Sequence, residues 1–435
     1  MIELRTILSE SNLRAAYTQV VKNKGAAGID EMPVESLSGH LNNNWEAIKG
    51  QLLSGNYRPQ SVRRVEIPKP KGGVRLLGIP TVLDRMLQQA IAQELSKHYD
   101  PQFSDYSYGF RPGRSCHNAL DTALDYLNLG YEYIVEIDLS KFFDRVNHDR
   151  LLHILSEQIQ DKEVLRLIRR YLQSGVLING LVQKTEEGTP QGGNLSPILS
   201  NIVLDELDKE LEKRGDKFVR YADDISIFVK SRRAGERVLE SMTDFIEGRL
   251  KLQVNREKSG VKHYQKGGLL GYGFYKDAKG VHSRILKSSY QRFCRKLKRF
   301  TSRSWSVSLD YRLTVINSLT QGWLSYYGKA KGRSRLRRVD EWLRRRLRMC
   351  IWKQWKKISK RKRSLRKLGA SKQKAYEWAN TRKSYWRVSK SPILQVTITN
   401  DRLEQRGYLS IEKTYNHRHT ILMNRRDTRT VRPVV

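Results

Sequence analysis

The spacing of hydrophobic positions changes along the chain, and those changes predict where helices give way to strands. Residues 1 to 60 read as short helices around a Gly-rich loop, Lys24-Gly25-Ala26-Ala27-Gly28-Ile29-Asp30. From 61 to about 85 polar and apolar residues alternate, and Pro68, Pro70 and Gly72-Gly73 mark a turn between two strands. Met86, Leu87, Ala90, Ile91 and Leu95 then recur at helical spacing behind Asp84, an expected cap. Tyr133 to Leu139 is rich in β-branched residues and reads as a strand carrying Asp138 near its end. Residues 217 to 229, KFVRYADDISIFV, read as two strands meeting at Ala222-Asp223-Asp224.

Beyond about residue 285 the strand pattern fades. Glu341 to Lys357 places Leu343, Leu347, Ile351 and Trp355 four apart, with Arg344, Arg345, Arg346 and Arg348 between them, which predicts a basic amphipathic helix. The tail from 411 mixes polarities without a period and is expected to order only against RNA. The pattern therefore predicts an α+β protein in four parts: an N-terminal extension at 1–60, strands and helices at 61–285, a helical domain at 286–410, and a basic tail at 411–435.

Length and composition narrow the possibilities. A chain of 435 residues has room for two or three domains. No run of about 20 apolar residues occurs and the N-terminus does not read as a leader, so a protein of the cell interior is expected, without a membrane partner. Cys116, Cys294 and Cys350 are too far apart to suggest a zinc cluster or a disulfide framework and are expected to be small buried hydrophobes. The formal net charge of +37 calls for a polyanion, and nucleic acid is the expected ligand. Residues 291 to 390 hold 32 Lys or Arg against four acids, a local excess of 32 − 4 = +28, together with seven of the eight Trp. Such interleaving suits a surface that follows phosphates and stacks bases, while packing inside a helical domain is the alternative for the Trp rings.

Paired carboxylates near strand ends suggest metal-assisted transfer of a nucleotide. One metal ion activates a hydroxyl and a second holds the triphosphate, so acidic side chains must converge. Hard cations such as Mg²⁺ take oxygen ligands and keep several waters, which makes two or three Asp a sufficient protein contribution. Asp138, Asp223 and Asp224 are the candidates. Taken alone, Tyr221-Ala222-Asp223-Asp224 is a weak signal.

The ordered set of blocks is stronger. Ile67-Pro-Lys-Pro-Lys-Gly-Gly-Val-Arg75, Gly109-Phe-Arg-Pro-Gly-Arg114, Asp138-Leu-Ser-Lys-Phe-Phe143, Thr189-Pro-Gln-Gly-Gly-Asn-Leu-Ser-Pro197, YADD and Leu269-Leu-Gly-Tyr272 succeed one another along the chain. Together they closely resemble the blocks of group II intron-encoded reverse transcriptases. Gly322 to Tyr327, Trp342 to Trp355 and Arg382 to Ser389 resemble the thumb and maturase domain of that family, so the likeness spans roughly residues 10 to 410.

The resemblance implies a right-hand polymerase, with fingers and a palm built on an antiparallel sheet, followed by an α-helical thumb and maturase domain. Asp138, Asp223 and Asp224 would bind two Mg²⁺, with Mn²⁺ as a possible substitute and no zinc. Lys69 and Arg75 would hold the triphosphate, since cations on a hairpin can clamp a growing charge. Phe143 would exclude a ribose 2′ hydroxyl by clash, while Phe142 reads as core. Gln191 would contact the incoming nucleotide and Gly192 would let backbone approach it, with a plain structural turn as the alternative. Lys258 is either a general acid for the leaving pyrophosphate or a surface lysine.

Nucleic-acid contacts fall by the same resemblance to Gly271 and Tyr272, in a primer grip. The hairpin cations, Arg63 among them, read as a phosphate-facing ribbon, and Arg344, Arg345, Arg348 and Lys353 belong to the basic helical surface. Arg111 and Arg114 either reach template phosphates or tie fingers to palm. The Gly25–Asp30 loop is either a template contact or an ordinary turn.

No Cys-x-x-Cys pair or His-Asn-His-like cluster follows residue 410, so a bacterial type without the endonuclease domain is expected. The implied activity is RNA-directed DNA polymerisation on an RNA template from a DNA or RNA primer with dNTPs. Binding of the parent group II intron RNA would assist splicing, and target DNA would serve mobility. The implied location is the bacterial cytosol or nucleoid. A domesticated enzyme of repair, phage defence or spacer acquisition is the alternative. An RNA-binding maturase without polymerase activity is disfavoured by the intact carboxylates.

Overall fold

Val62–Pro68 turns back on Val74–Ile79, with Ile67 opposite Arg75 and Arg63 opposite Ile79, as the alternating pattern predicts. The computed structural model describes residues 2–68, 72–178, 181–183, 187–188 and 192–427. Lys69 and Gln191 lie outside the described residues. The chain divides into two compact units, Met1–His263 and Tyr264–Val435.

In chain order the strands of the first unit are β1 (Val62–Pro68), β2 (Val74–Ile79), β3 (Tyr133–Asp138), β4 (Val176–Ile178), β5 (Leu181–Gln183), β6 (Lys217–Tyr221), β7 (Asp224–Val229) and β8 (Gly260–His263). They form two four-stranded sheets, β2-β1-β4-β5 and β6-β7-β3-β8, and every pairing in the second is antiparallel. The helix Val82–Tyr99 runs through the core, with Met86, Leu87, Ala90, Ile91 and Leu95 all buried.

The cap of that helix differs from the expectation. Thr81 Oγ1 accepts from the Asp84 N–H at 3.1 Å, while the Asp84 carboxylate turns inward. There it accepts from Tyr57, Tyr171, Thr81 and the Gln60 N–H. A buried carboxylate must be satisfied by donors, and these donors join the helix to the base of the β1–β2 hairpin. Burial pushes the Asp84 carboxyl above its ordinary value.

The second unit begins with β9 (Gly268–Leu269), β10 (Tyr272–Asp277) and β11 (Gly280–Ile285), a small antiparallel sheet. The sequence reading groups this sheet with the palm and draws its boundary at 285. In the structure Tyr272 packs on Tyr326 and Tyr327, its hydroxyl donates to the Tyr326 carbonyl, and Tyr326 donates to Leu270 O at 2.9 Å. These bonds anchor the sheet on the helix Leu309–Tyr327, through partners too distant in sequence for a periodic pattern to link.

The predicted basic helix spans Arg333–Gln354, with Leu343, Leu347 and Ile351 buried. The tail is also helical, Ile411–Asp427, which corrects the expectation that it waits for RNA. Its start is latched by Asp340, which has no exposed surface and accepts from Tyr408, from Ser410 Oγ at 2.8 Å, from the Ile411 N–H at 3.0 Å and from Arg344 at 2.5 Å. Of the cysteines only Cys350 is fully buried. Among the described residues no helix is long and apolar enough to cross a membrane.

Candidate active site

The register of β3 against β7 sets Asp138 opposite Asp224 and Glu136 opposite Ser226. Directly opposed residues of an antiparallel pair share a face, so Asp138, Glu136 and Asp224 lie on one side of the sheet. On its other side Val135, Ile137, Ile225 and Ile227 join the core. Between β6 and β7, Tyr221 pairs with Asp224, which leaves Ala222-Asp223 as a two-residue turn.

Ala222 is buried at φ 57, a left-handed conformation that costs a non-glycine residue roughly 1–2 kcal/mol. Neighbouring groups hold the turn in place. Arg220 Nη1 donates to Ala222 O at 3.0 Å, and Gly109 lies so close that a Cβ there would meet Ala222 N at 2.2 Å. Asn201 in turn donates to Gly109 O at 2.9 Å.

Burial and neighbouring negative charge both act on Asp223 and Asp224. Burial first, and then Asp223, Asp138 and Glu136, push the Asp224 carboxyl up to about 6. Asp223 is raised by burial and by Asp138, and the nearby positive charges of Arg75 and Arg220 oppose the rise. Lys258 brings its ammonium to 3.3 Å from Asp138 Oδ1. It is carried there by a segment stitched to the end of β3, where the Asn255 N–H donates to Asp138 O at 2.8 Å and the Asp138 N–H to Ser259 Oγ at 3.0 Å. Lys262 pairs with Glu136 at 2.5 Å. Among the described residues no three acidic, His or Cys side chains gather tightly enough to enclose a cation by themselves.

Phe142 is core, and Phe143, edge-on to it at 5.2 Å, is half-buried. Gly188 packs against the backbone of Phe143 and Asp144, where a Cβ would come within 2.8 Å. Gly192, at φ 114, approaches protein backbone: a Cβ there would meet Gly78 O of β2 at 2.6 Å. Asn194, two residues on, donates to Gln89 at 3.0 Å. Glycine is needed at position 192 to sit against β2.

The expected nucleic-acid residues divide by burial. Arg63 is half-buried, and Arg114 is bound to Asp105 at 2.6 Å beside the Tyr108 ring. Arg345 stacks on Trp386, while Lys353 lies over Tyr385 and Arg344 pairs with Asp340. Arg111 and Arg348 do not face solvent. Arg111 is buried and donates to Asp100, Ser104 O and Ser107 O, so its head group is tied to the loop that precedes it. Arg348 is 4% exposed and donates to Ile398 O and Asn400, and burial lowers its pKa to about 10. A guanidinium buried on acceptors of its own protein is poorly disposed to reach a phosphate. Tyr272, with 0% exposure, is likewise a packing residue, and Gly271 at φ 83 fits beneath the Tyr327 hydroxyl.

Arg220 and Asn201 are supporting residues that motif reading passed over, and Gly109, quoted only as the head of its block, was given no role. One signal was available: Arg220 falls on the same alternation as Phe218, a charge at a core position, which demands a buried partner.

Residues 67–274 match the family description Reverse transcriptase (RNA-dependent DNA polymerase), and residues 290–369 match Group II intron, maturase-specific domain. Protein YkfC of Escherichia coli (strain K12) is 33% identical over 304 residues, covering 61% of this chain and 80% of that protein. Group II intron-encoded protein LtrA of Lactococcus lactis subsp. cremoris is 30% identical over 430 residues, covering 76% of this chain and 71% of that protein. A solved structure, a partial Cas6-RT-Cas1–Cas2 complex, is 25% identical over 56% of this chain and 42% of that chain, at a TM-score of 0.37.

Proposed function

We propose that this chain, which belongs to the group II intron reverse transcriptase and maturase family, extends a primer along RNA at the carboxylate face of the β6-β7-β3-β8 sheet. The observation that carries this reading is the pairing of Asp138 with Asp224, with Asp223 at the adjoining turn, where neighbouring acids oppose ionisation. Carboxylates crowded in this way favour cation binding. Asp138, Asp223 and Asp224 would hold Mg²⁺, leaving sites for phosphate and water oxygens. When bound, the ions supply Lewis-acid stabilisation and an activated hydroxyl.

The chain's own residues do the rest. Arg75 on β2, with Lys69 of the same sequence block, would hold the triphosphate, and the positive charge of Arg75 acts on Asp223. In this reading Phe143 would bar a 2′ hydroxyl, Gln191 would contact the nucleotide, and Lys258 would deliver a proton to the departing pyrophosphate. Arg63 and Arg114 remain candidates for template phosphates, and Gly271 for backbone contact with the primer. The first unit would serve as fingers and palm. The helical unit, with Arg345 and Lys353 on its surface, would bind the parent intron RNA in splicing and mobility. We place the protein in the bacterial cytosol.

Primer extension tests this reading. Asp223→Ala should abolish dNTP addition on an RNA template and leave RNA affinity within about twofold of the parent. Extension by that variant near the parent rate would overturn the assignment.

A further inference from the structure

We propose that the helical unit contains a receptor for a single unpaired nucleotide, built around Trp386 and the loop that follows helix Lys287–Phe300. This inference rests on the RNA-binding reading above and specifies which feature of the nucleic acid is held. A cavity of about 970 Å³ opens there, and none of its lining residues is acidic. That volume lies toward the upper end of the roughly 300–1,000 Å³ usual for small-molecule sites.

Cations surround the cavity. Arg295, Lys298, Arg299 and Arg303 are exposed and line it together with Ser302 and Ser304. The charge is not neutralised by the helix end below. The carbonyls of Lys298 and Thr301 accept from Arg346, as does Thr301 Oγ1 at 2.5 Å. A helix C-terminus that would otherwise repel phosphate is thereby covered by a guanidinium.

Aromatic surface is present and already oriented. Trp386 is 36% exposed, and Arg345 covers one face of its ring, the guanidinium lying 3.7 Å from the centroid. Arg345 also donates to Trp386 O at 3.1 Å and to Ser389, which fixes the residue carrying the ring. Across the cavity Trp305 is held by Arg312, itself 2% exposed, which donates to the carbonyls of Phe300, Ser302 and Trp305 and stacks 5.0 Å from the Trp305 centroid. The loop is wound around a buried cation, so its shape does not wait for a ligand.

The combination selects the occupant. Cations alone would suit any phosphate backbone, but a paired helix keeps its base faces stacked and gives a tryptophan ring nothing to cover. An unpaired base offers that face, with phosphates on either side of it. An acidic peptide would satisfy the arginines and leave the rings unused.

The test uses the full chain and two RNA hairpins of equal charge, one fully paired and one with a single bulged 2-aminopurine. The parent protein should prefer the bulged hairpin by roughly fivefold or more and quench its emission. Trp386→Ala should erase both effects while affinity for the paired hairpin holds, and Trp386→Phe should keep most of the preference. Arg303→Gln should weaken binding and flatten the salt dependence. A bulge preference on either this hairpin or its DNA counterpart supports the receptor, and the stronger identifies the strand. Equal binding of bulged and paired hairpins by the parent, or equal loss on both in Trp386→Ala, overturns it. Failure of the parent to bind any RNA would sink the wider reading as well, whereas tight binding without preference sinks the receptor alone.

Discussion

Arg220 and Asp208 form an ion pair with no solvent exposure on either side chain, joined by contacts of 2.5 to 2.9 Å from Nε and Nη2. The remaining nitrogen, Nη1, donates at 3.0 Å both to Asn201 and to Ala222 O. One guanidinium therefore links the helix Ser196–Lys213 to the turn that presents Asp223.

Arg220→Met should cost about 3–5 kcal/mol of stability, because it strands the Asp208 carboxylate without a partner. The urea midpoint measures this. Primer extension by the folded fraction should also fall, since the Ala222 turn loses its tie, with RNA affinity unchanged. A midpoint within experimental error of the parent would refute the pairing as a stabilising element.

The raised Asp224 carboxyl predicts a pH dependence whose sign follows from linkage. Its pKa in the fold exceeds the unfolded value, so the stabilisation it contributes is fully present below the ordinary carboxylate range and is lost as pH rises to about 6. In metal-free buffer the melting temperature should decline across that interval, and Asp224→Asn should flatten the decline. Divalent cation should restore melting temperature above pH 6. Polymerase activity should rise through the same window, as the carboxylate becomes available.

Phe143→Ala should admit ribonucleotides. As the proposed gate, the half-buried ring would exclude by bulk, so the ratio of kcat/KM for dNTP over NTP should shrink by about tenfold or more, with dNTP use retained. Unchanged sugar discrimination would remove Phe143 from the gate.

Asp340→Ala should unlatch the C-terminal helix. It leaves the Tyr408 and Ser410 hydroxyls and the Ile411 N–H without their acceptor and unpairs Arg344, at a cost of about 3 kcal/mol or more. Limited proteolysis should then cleave between 405 and 411 at protein concentrations where the parent resists. Equal resistance would show that the latch is redundant.

Much of the architecture is local information. Alternation around Ile67 and Arg75, the period through Met86 and Leu95, and the apolar strands flanking Asp223 each follow from whether a backbone repeats every two residues or every 3.6. The three aspartates were legible as candidates for a different reason: the Tyr221-Ala222-Asp223-Asp224 turn alone is a weak signal, and the ordered set of blocks that includes Asp138 is what singled them out. The burial of Arg111 and Arg348 was not legible, because exposed and buried arginines look alike in a string of letters. What separates them is whether acceptors converge on their donors, from the preceding loop at Asp100, Ser104 and Ser107 for Arg111 and from the distant Ile398 for Arg348.

Sequence alone nominated the residues proposed to carry the chemistry and determined in what order the strands and helices occur, since periodicity and block order are properties of the chain. Tertiary structure decided which cations are free to meet a polyanion, which carboxylates repel one another, and that the tail folds on Asp340. Those are consequences of low dielectric and of hydrogen-bond satisfaction among residues far apart in sequence, and no local pattern encodes them.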